Sequence, residues 1–336
     1  MLNLVAKRNW FYLVSLLLLI PGIISLLIPP RLQPGIEFTS GTQFSFIFAE
    51  PVSTSDVEDA LADLGYADVQ VQRTGENQFL VRTDEIEGSL SAPPVGPAIP
   101  SERERLEVEL NKLYGGFVDL EGNPTTQFVE FSSVSASVSR DIGQKAAIAV
   151  AIAAVAITAY ITWAFRNVPN PLRYGISTIV ALLHDVILVI GVFSILGKFF
   201  DVEVDTFFIT GILTVVGFSV HDSIVVFDRI RENVQRGVIR SFPDTVNHSL
   251  LQTMGRSFNT SLTLVFAILS LLLLGGDSIR DFLICLLIGI VAGTYSSVFI
   301  ASMFLVTWQQ GDIPRAWRRL TGRGGTPRAP EVATAE

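Results

Sequence analysis

The chain has 336 residues, a formal net charge of −8, 49% hydrophobic residues and only 17% charged ones, against about 25% charged in soluble domains. Mean hydropathy is +0.47 and the apolar residues gather in long blocks, which excludes a purely cytosolic enzyme and predicts a membrane protein. The lone Cys285 excludes a disulfide framework within the chain and a Cys-based zinc cluster.

The first apolar stretch, 11–28, carries no charge and is long enough to span a bilayer. It follows Lys7 and Arg8 as a signal peptide would, but Pro29-Pro-Arg-Leu-Gln-Pro34 offers no small-x-small cleavage site, so an uncleaved anchor is expected. Pro21 and Gly22 predict a kink within it.

The pattern then changes to short elements of an α+β domain. Phe44, Phe46 and Phe48 alternate as in a half-buried strand. Ser55 with Glu58 reads as a capping box, opening a helix whose stripe is Val57, Ala60, Leu61 and Leu64, stopped at Gly65. Strands are predicted at 69–72 and 79–83, then a Pro- and Gly-rich loop at 88–100. Ser101 with Glu104 repeats the cap before Leu106, Leu110 and Leu113, and a last strand is predicted near 127–133. The order β-α-β-β-α-β is that of a ferredoxin-like split unit. It holds no His, no Cys and no Gly-rich phosphate cradle, so a binding or mobile domain is expected, with its acidic excess a solvated surface.

Further spans are predicted at 146–165, at 174–197 with His184 and Asp185, at 206–227 with His221 and Asp222, at 259–275 and at 282–308. Gly289 and Gly293 give the last one a small-xxx-small spacing for close helix contact. The expected fold class is an α-helical membrane protein of six transmembrane helices with one ferredoxin-like extracytoplasmic domain between helices 1 and 2. Its expected divisions are 1–30 (cytoplasmic start and first helix), 31–141 (outer domain), 142–309 (helices 2–6) and 310–336 (a disordered basic cytoplasmic tail). Six crossings put both termini on one side, the side that holds Arg166, Arg173, Arg229, Arg231, Arg236, Arg240 and the arginines of the tail. By the positive-inside rule that side is cytoplasmic. The tail is expected near anionic lipid headgroups, and no nucleic-acid partner is predicted.

Charges inside spans cost at least about 2.5 to 3.5 kcal/mol each and are functional candidates. Asp185 lies about 16 Å along its helix from Tyr174, near the bilayer middle. Asp222 and Arg256 fall at similar depth toward the cytoplasmic face, close enough to pair. An Arg keeps a neighbouring carboxylate ionised, and a dry bundle without one favours the neutral acid, so the pair reads as a proton switch. A static interhelical bond fits the same residues. For His184 and Asp185 the simpler reading is intramembrane polar contact. Adjacent helical side chains diverge by about 100°, which argues against a shared metal ion. No catalytic constellation, metal site or cofactor is predicted.

Several segments together resemble the SecF subunits of the bacterial protein-export accessory complex, members of the RND-like transporters. They are Gly35-Ile-Glu-Phe-Thr-Ser-Gly-Thr42, Ala181-Leu-Leu-His-Asp185, Gly217-Phe-Ser-Val-His-Asp-Ser-Ile-Val-Val-Phe-Asp-Arg-Ile-Arg-Glu232, Ser249-Leu-Leu-Gln-Thr-Met-Gly-Arg256, Gly275-Gly276 and Gly293-Thr-Tyr-Ser-Ser297. The resemblance covers nearly the whole chain, and the span-four segment is the specific one. It implies an RND-like half that works with SecD and the SecYEG channel, in the bacterial inner membrane, to draw exported preprotein chains outward at the expense of the proton motive force. It also implies that Asp222 and Arg256 form the proton-linked pair. The chain departs from the family pattern at Glu37, where Asp is usual, at Ser40, where Gly is usual, and at His221, where Asn is common; a His there bears on the protonation of Asp222, which makes His221 part of the expected relay. A non-conducting scaffold for SecD and the channel stays open as an alternative. So does an RND-like exporter of lipids or small molecules, against which the single small outer domain argues.

Overall fold

A computed structural model describes residues 3–66, 69–86, 101–237, 239, 241–276 and 279–311. The expected loop at 88–100 and the basic tail from 312 onward lie outside the described residues. The chain divides into two compact units, Gln33–Ala149 with Glu203–Thr206, and the remainder.

In the first unit, after a short helix α2 (Ile36–Thr39), strand β1 (Gly41–Phe48) is central. Antiparallel β3 (Gln78–Thr83) lies on one edge, with β2 (Gln70–Arg73) beyond it, and β6 (Glu130–Val134) and β4 (Phe117–Val118) share the other. Phe44, Phe46 and Phe48 are buried as their alternation requires. They form an aromatic core with Phe79, Phe117 and Phe128, closed by Val57 and Leu61 of α3 (Thr54–Asp63) and by Leu106 and Leu110 of α4 (Glu102–Leu110). Glu107 of α4 is buried as well; Arg103 and the Phe128 amide both donate to it, tying the helix to the approach of β6.

Three expectations need correction here. The cap of α3 is Ser53 with Asp56, not Ser55 with Glu58. Asp56 sits at the third helical position and reaches back to the Ser53 amide at 3.3 Å, so the pair two residues earlier satisfies the free amides first. Leu64, expected on the buried stripe, is 37% exposed, because the helix ends at Asp63. Two further strands, β4 and β5 (Pro124–Thr125), form a small hairpin. Its turn is built by Asp119, whose carboxylate accepts from the amides of Asn123 and Glu121, and these bonds hold it below the usual carboxylate range. The Ser101 and Glu104 cap stands as expected.

Ser40 adopts φ +66° and ψ 165°, a region nearly reserved for glycine that costs other residues about 1–3 kcal/mol. The adjoining Gly41, at φ +126°, packs where a Cβ would lie 2.6 Å from the Thr83 carbonyl oxygen. Ser40→Gly is therefore expected to raise stability by about 1 kcal/mol, read as a higher Tm of the purified chain.

The second unit is helical. Six helices are long and apolar enough to cross a membrane: Val5–Leu27, Ala136–Ala164, Pro171–Phe200, Thr206–Arg236, Phe242–Leu274 and Arg280–Gln309. In chain order they contain α1 (Arg8–Leu27), α5 (Ala136–Ala164), α6 (Pro171–Phe200), α7 (Thr206–Arg236), α8 (Phe242–Leu274), and α9 (Arg280–Tyr295) joined to α10 (Ser302–Gln309) by a π-helical segment, Ser296–Ala301. The second helix starts at Ala136, ahead of its apolar stretch.

The chain remains helical through Pro21. Gly22 serves close approach: a Cβ there would sit 2.7 Å from the Gly191 Cα of α6, and the reverse holds for Gly191. Ser25 and Ser194 hydroxyls meet at 2.8 Å beside this crossing. Lys198 donates to the Ser25 and Ile28 carbonyls, placing its charge at the negative end of α1. Because both contacting groups are backbone, Gly191→Ala is expected to cost about 1–3 kcal/mol by forcing the helices apart; thermal unfolding in detergent measures it. Gly289 and Gly293 play the same part against α7, under Val215 and Ser219.

Candidate intramembrane polar site

Long apolar helices bury ionisable groups only where other helices supply partners. Asp185 of α6 is 1% exposed. Its Oδ2 accepts from the Ser219 hydroxyl of α7 at 2.6 Å and from the Ser296 hydroxyl at 2.7 Å, and Oδ1 lies 3.0 Å from Nδ1 of His184. Three spans thus converge on one carboxylate. The adjacent His184, 6% exposed, reaches it despite the divergence of successive helical side chains.

The π segment begins at this point, and π turns concentrate at functional sites. Hydroxyls hold it: Ser297 donates to the Ser219 carbonyl, Ser223 donates to the Ser297 hydroxyl, and Ser302 donates to the Ser297 and Val298 carbonyls. Tyr295, just before it, donates to the Phe11 carbonyl of α1 at 2.8 Å. Ser219, Ser296 and Ser297 fall within the segments that resemble the family, and nothing in those segments singles them out. Serines are common in membrane helices, and only the fold shows which of them aim at Asp185.

Asp222 of α7 is 2% exposed, and its Oδ2 is buried with no hydrogen-bond partner. The Ser257 hydroxyl of α8 is likewise buried without a hydrogen-bond partner. Arg256, the preceding residue, is exposed, and so is His221. The expected ion pair between Asp222 and Arg256 is not made in this conformation: one helical step rotates Arg256 by about 100° from the Ser257 direction. The structure brings His184 and Asp185 together; of the other three residues, Asp222 is buried while its neighbour His221 and Arg256 are exposed. Among the described residues, no group of three or more His, Cys, Asp or Glu side chains is placed to hold a metal ion.

Residues 119–311 match the family described as protein export membrane protein SecD/SecF, C-terminal. The chain is 46% identical over 95% of its length to the protein translocase subunit SecF of Thermobaculum terrenum, covering 98% of that protein. It is 40% identical over 97% of its length to the SecF subunit of Anaerolinea thermophila, covering 99% of it. Among solved structures it is similar to the crystal structure of SecDF, a translocon-associated membrane protein from Thermus thermophilus. There the TM-score is 0.74 and the identity 28%, with 92% of this chain and 39% of that one covered. Six apolar helices, a small antiparallel sheet domain and these similarities lead to one conclusion: the chain belongs to the SecD/SecF family of protein export membrane proteins.

Proposed function

We propose that the chain is a proton-driven subunit of the Sec protein-export machinery in the bacterial inner membrane. The observation that carries this reading is Asp222, a carboxyl group inside a membrane span that is buried yet incompletely hydrogen-bonded. A buried polar group left without a partner is a place where a fold stores strain or does work, and a proton is the simplest ligand that changes its charge. In the proposed cycle Asp222 is ionised against Arg256 in one state; a proton from outside neutralises it, the pair separates, and release to the cytoplasm restores it. His221, on the next face of α7, borders the relay.

The chain matches 39% of the Thermus SecDF chain, which supports SecD as the partner that supplies the other six-helix half. The SecYEG channel, exported preprotein chains and surrounding lipids follow as partners of that assembly, and no chemistry beyond transport is assigned. The sheet order β2-β3-β1, with β6 on the opposite edge of β1 from β3, supports reading the outer unit as ferredoxin-like. A structural-scaffold role draws support from Asp185, whose two carboxyl oxygens are both engaged by side chains from its own and two other spans. Extraction in mild detergent is expected to yield this chain with a second, SecD-like membrane protein. A stable, active monomer would remove the partner reading.

Positive-inside charge supports cytoplasmic termini with 31–141 outside. A single Cys at the exposed Glu121, in a Cys285→Ala background, is expected to react with an impermeant thiol reagent in intact cells. Reaction only after permeabilisation would invert the topology.

A further inference from the structure

His184 has a feature that packing alone does not require. Its ring is buried and its Nδ1 engages Asp185, but Nε2 is buried with no hydrogen-bond partner. The ring lies 6.2 Å from that of Tyr295, whose hydroxyl is bonded to the Phe11 carbonyl and approached by Ser15. The other groups facing Asp185 are the Ser219 and Ser296 hydroxyls. His221 and Asp222 follow Ser219 within one turn of α7, and Tyr295 immediately precedes Ser296 in the last span. Among the described residues no Lys or Arg pairs with Asp185, whose one ion-pair contact is His184.

We propose that His184 and Asp185 form a second intramembrane proton-binding site, distinct from Asp222, with His184 Nε2 as its port. In the ionised state neutral His184 donates Nδ1–H to the carboxylate, and the two serines donate to the other oxygen, so all three donors are used. A proton arriving at Nε2 forms the Nε2–H bond while the Nδ1 proton passes to Asp185 Oδ1. The imidazole is neutral before and after, and the carboxylate has become a carboxylic acid. Release reverses both transfers. Hydrogen bonds to a charged acceptor are roughly twice as strong as neutral ones, so protonation loosens the hold of Asp185 on Ser219 and on Ser296, the first residue of the π segment. The proton's occupancy of this site is thereby transmitted to the last span.

This site goes beyond the export reading and is tested without export. Infrared spectra of the chain with its membrane partner in lipid vesicles, titrated with pH, report carboxylic-acid carbonyl stretches. Asp185→Asn is expected to remove one acid band that Asp222→Asn leaves in place, and Asp185→Glu to restore one. In heavy water, His184→Phe is expected to keep the band but slow its hydrogen–deuterium exchange by a factor on the order of 100. A purely structural His184 would leave that rate unchanged. Acid bands unaltered by Asp185→Asn, or wild-type exchange in His184→Phe, would overturn the proposal. The exchange rate decides alone should Asp185→Asn fail to assemble.

Discussion

Asp222→Asn is expected to insert and assemble but to export preproteins no faster with a proton gradient than without one. The substitution keeps the size of the side chain and removes its charge, so it holds the site in the equivalent of the protonated state. Each proton moved inward through 100 mV supplies about 2.3 kcal/mol, enough to change the ratio of two states roughly 40-fold. Allosteric states are typically biased by about 1–3 kcal/mol, so one such site suffices to drive a bistable bundle. Arg256→Met is expected to give the same loss: the proposed cycle needs the counter-charge in one state, even though the conformation described here does not use it. Arg256 is exposed, so its removal does not empty a core and the protein level should hold. Vesicle export assays with and without an uncoupler measure both variants. A scaffold predicts near-normal gradient stimulation of Asp222→Asn.

Joint replacement of Ser219 and Ser296 by Ala is expected to lower stability by about 2–4 kcal/mol. Each hydroxyl donates to the same buried oxygen of Asp185, and a hydrogen bond to a charged group contributes about 1.5–3 kcal/mol. Because the two share one acceptor, the effects fall short of additive. His184 then remains as the single donor to a carboxylate at the meeting point of three spans. Thermal unfolding in detergent reads the loss. A wild-type Tm would mean that the cluster does not hold α6, α7 and the π segment together.

The spans were legible because a bilayer forbids charge over about 20 residues, and the sheet domain because Phe44, Phe46 and Phe48 announce a strand facing a core. The candidate carboxylates were legible for the same reason: Asp185 and Asp222 stand out in apolar runs, and both are buried. Facing was not legible. A membrane helix is apolar on every side, so hydropathy does not say that Arg256 and His221 turn outward while Ser257 turns in. The Ser296–Ala301 π segment was hidden as well, since its stability comes from hydroxyls donated across helices and not from local propensity. In the sheet domain the β4–β5 hairpin escaped because its strands are two residues each, and its one local signal is the turn around Asp119, Gly122 and Asn123.

Proton flux into lipid vesicles containing the chain and its membrane partner shows whether Asp222 carries proton coupling. An imposed potential should drive acidification of the lumen in the wild type, and Asp222→Asn should fall to the level of protein-free vesicles. Equal flux through wild type and Asp222→Asn would contradict the account.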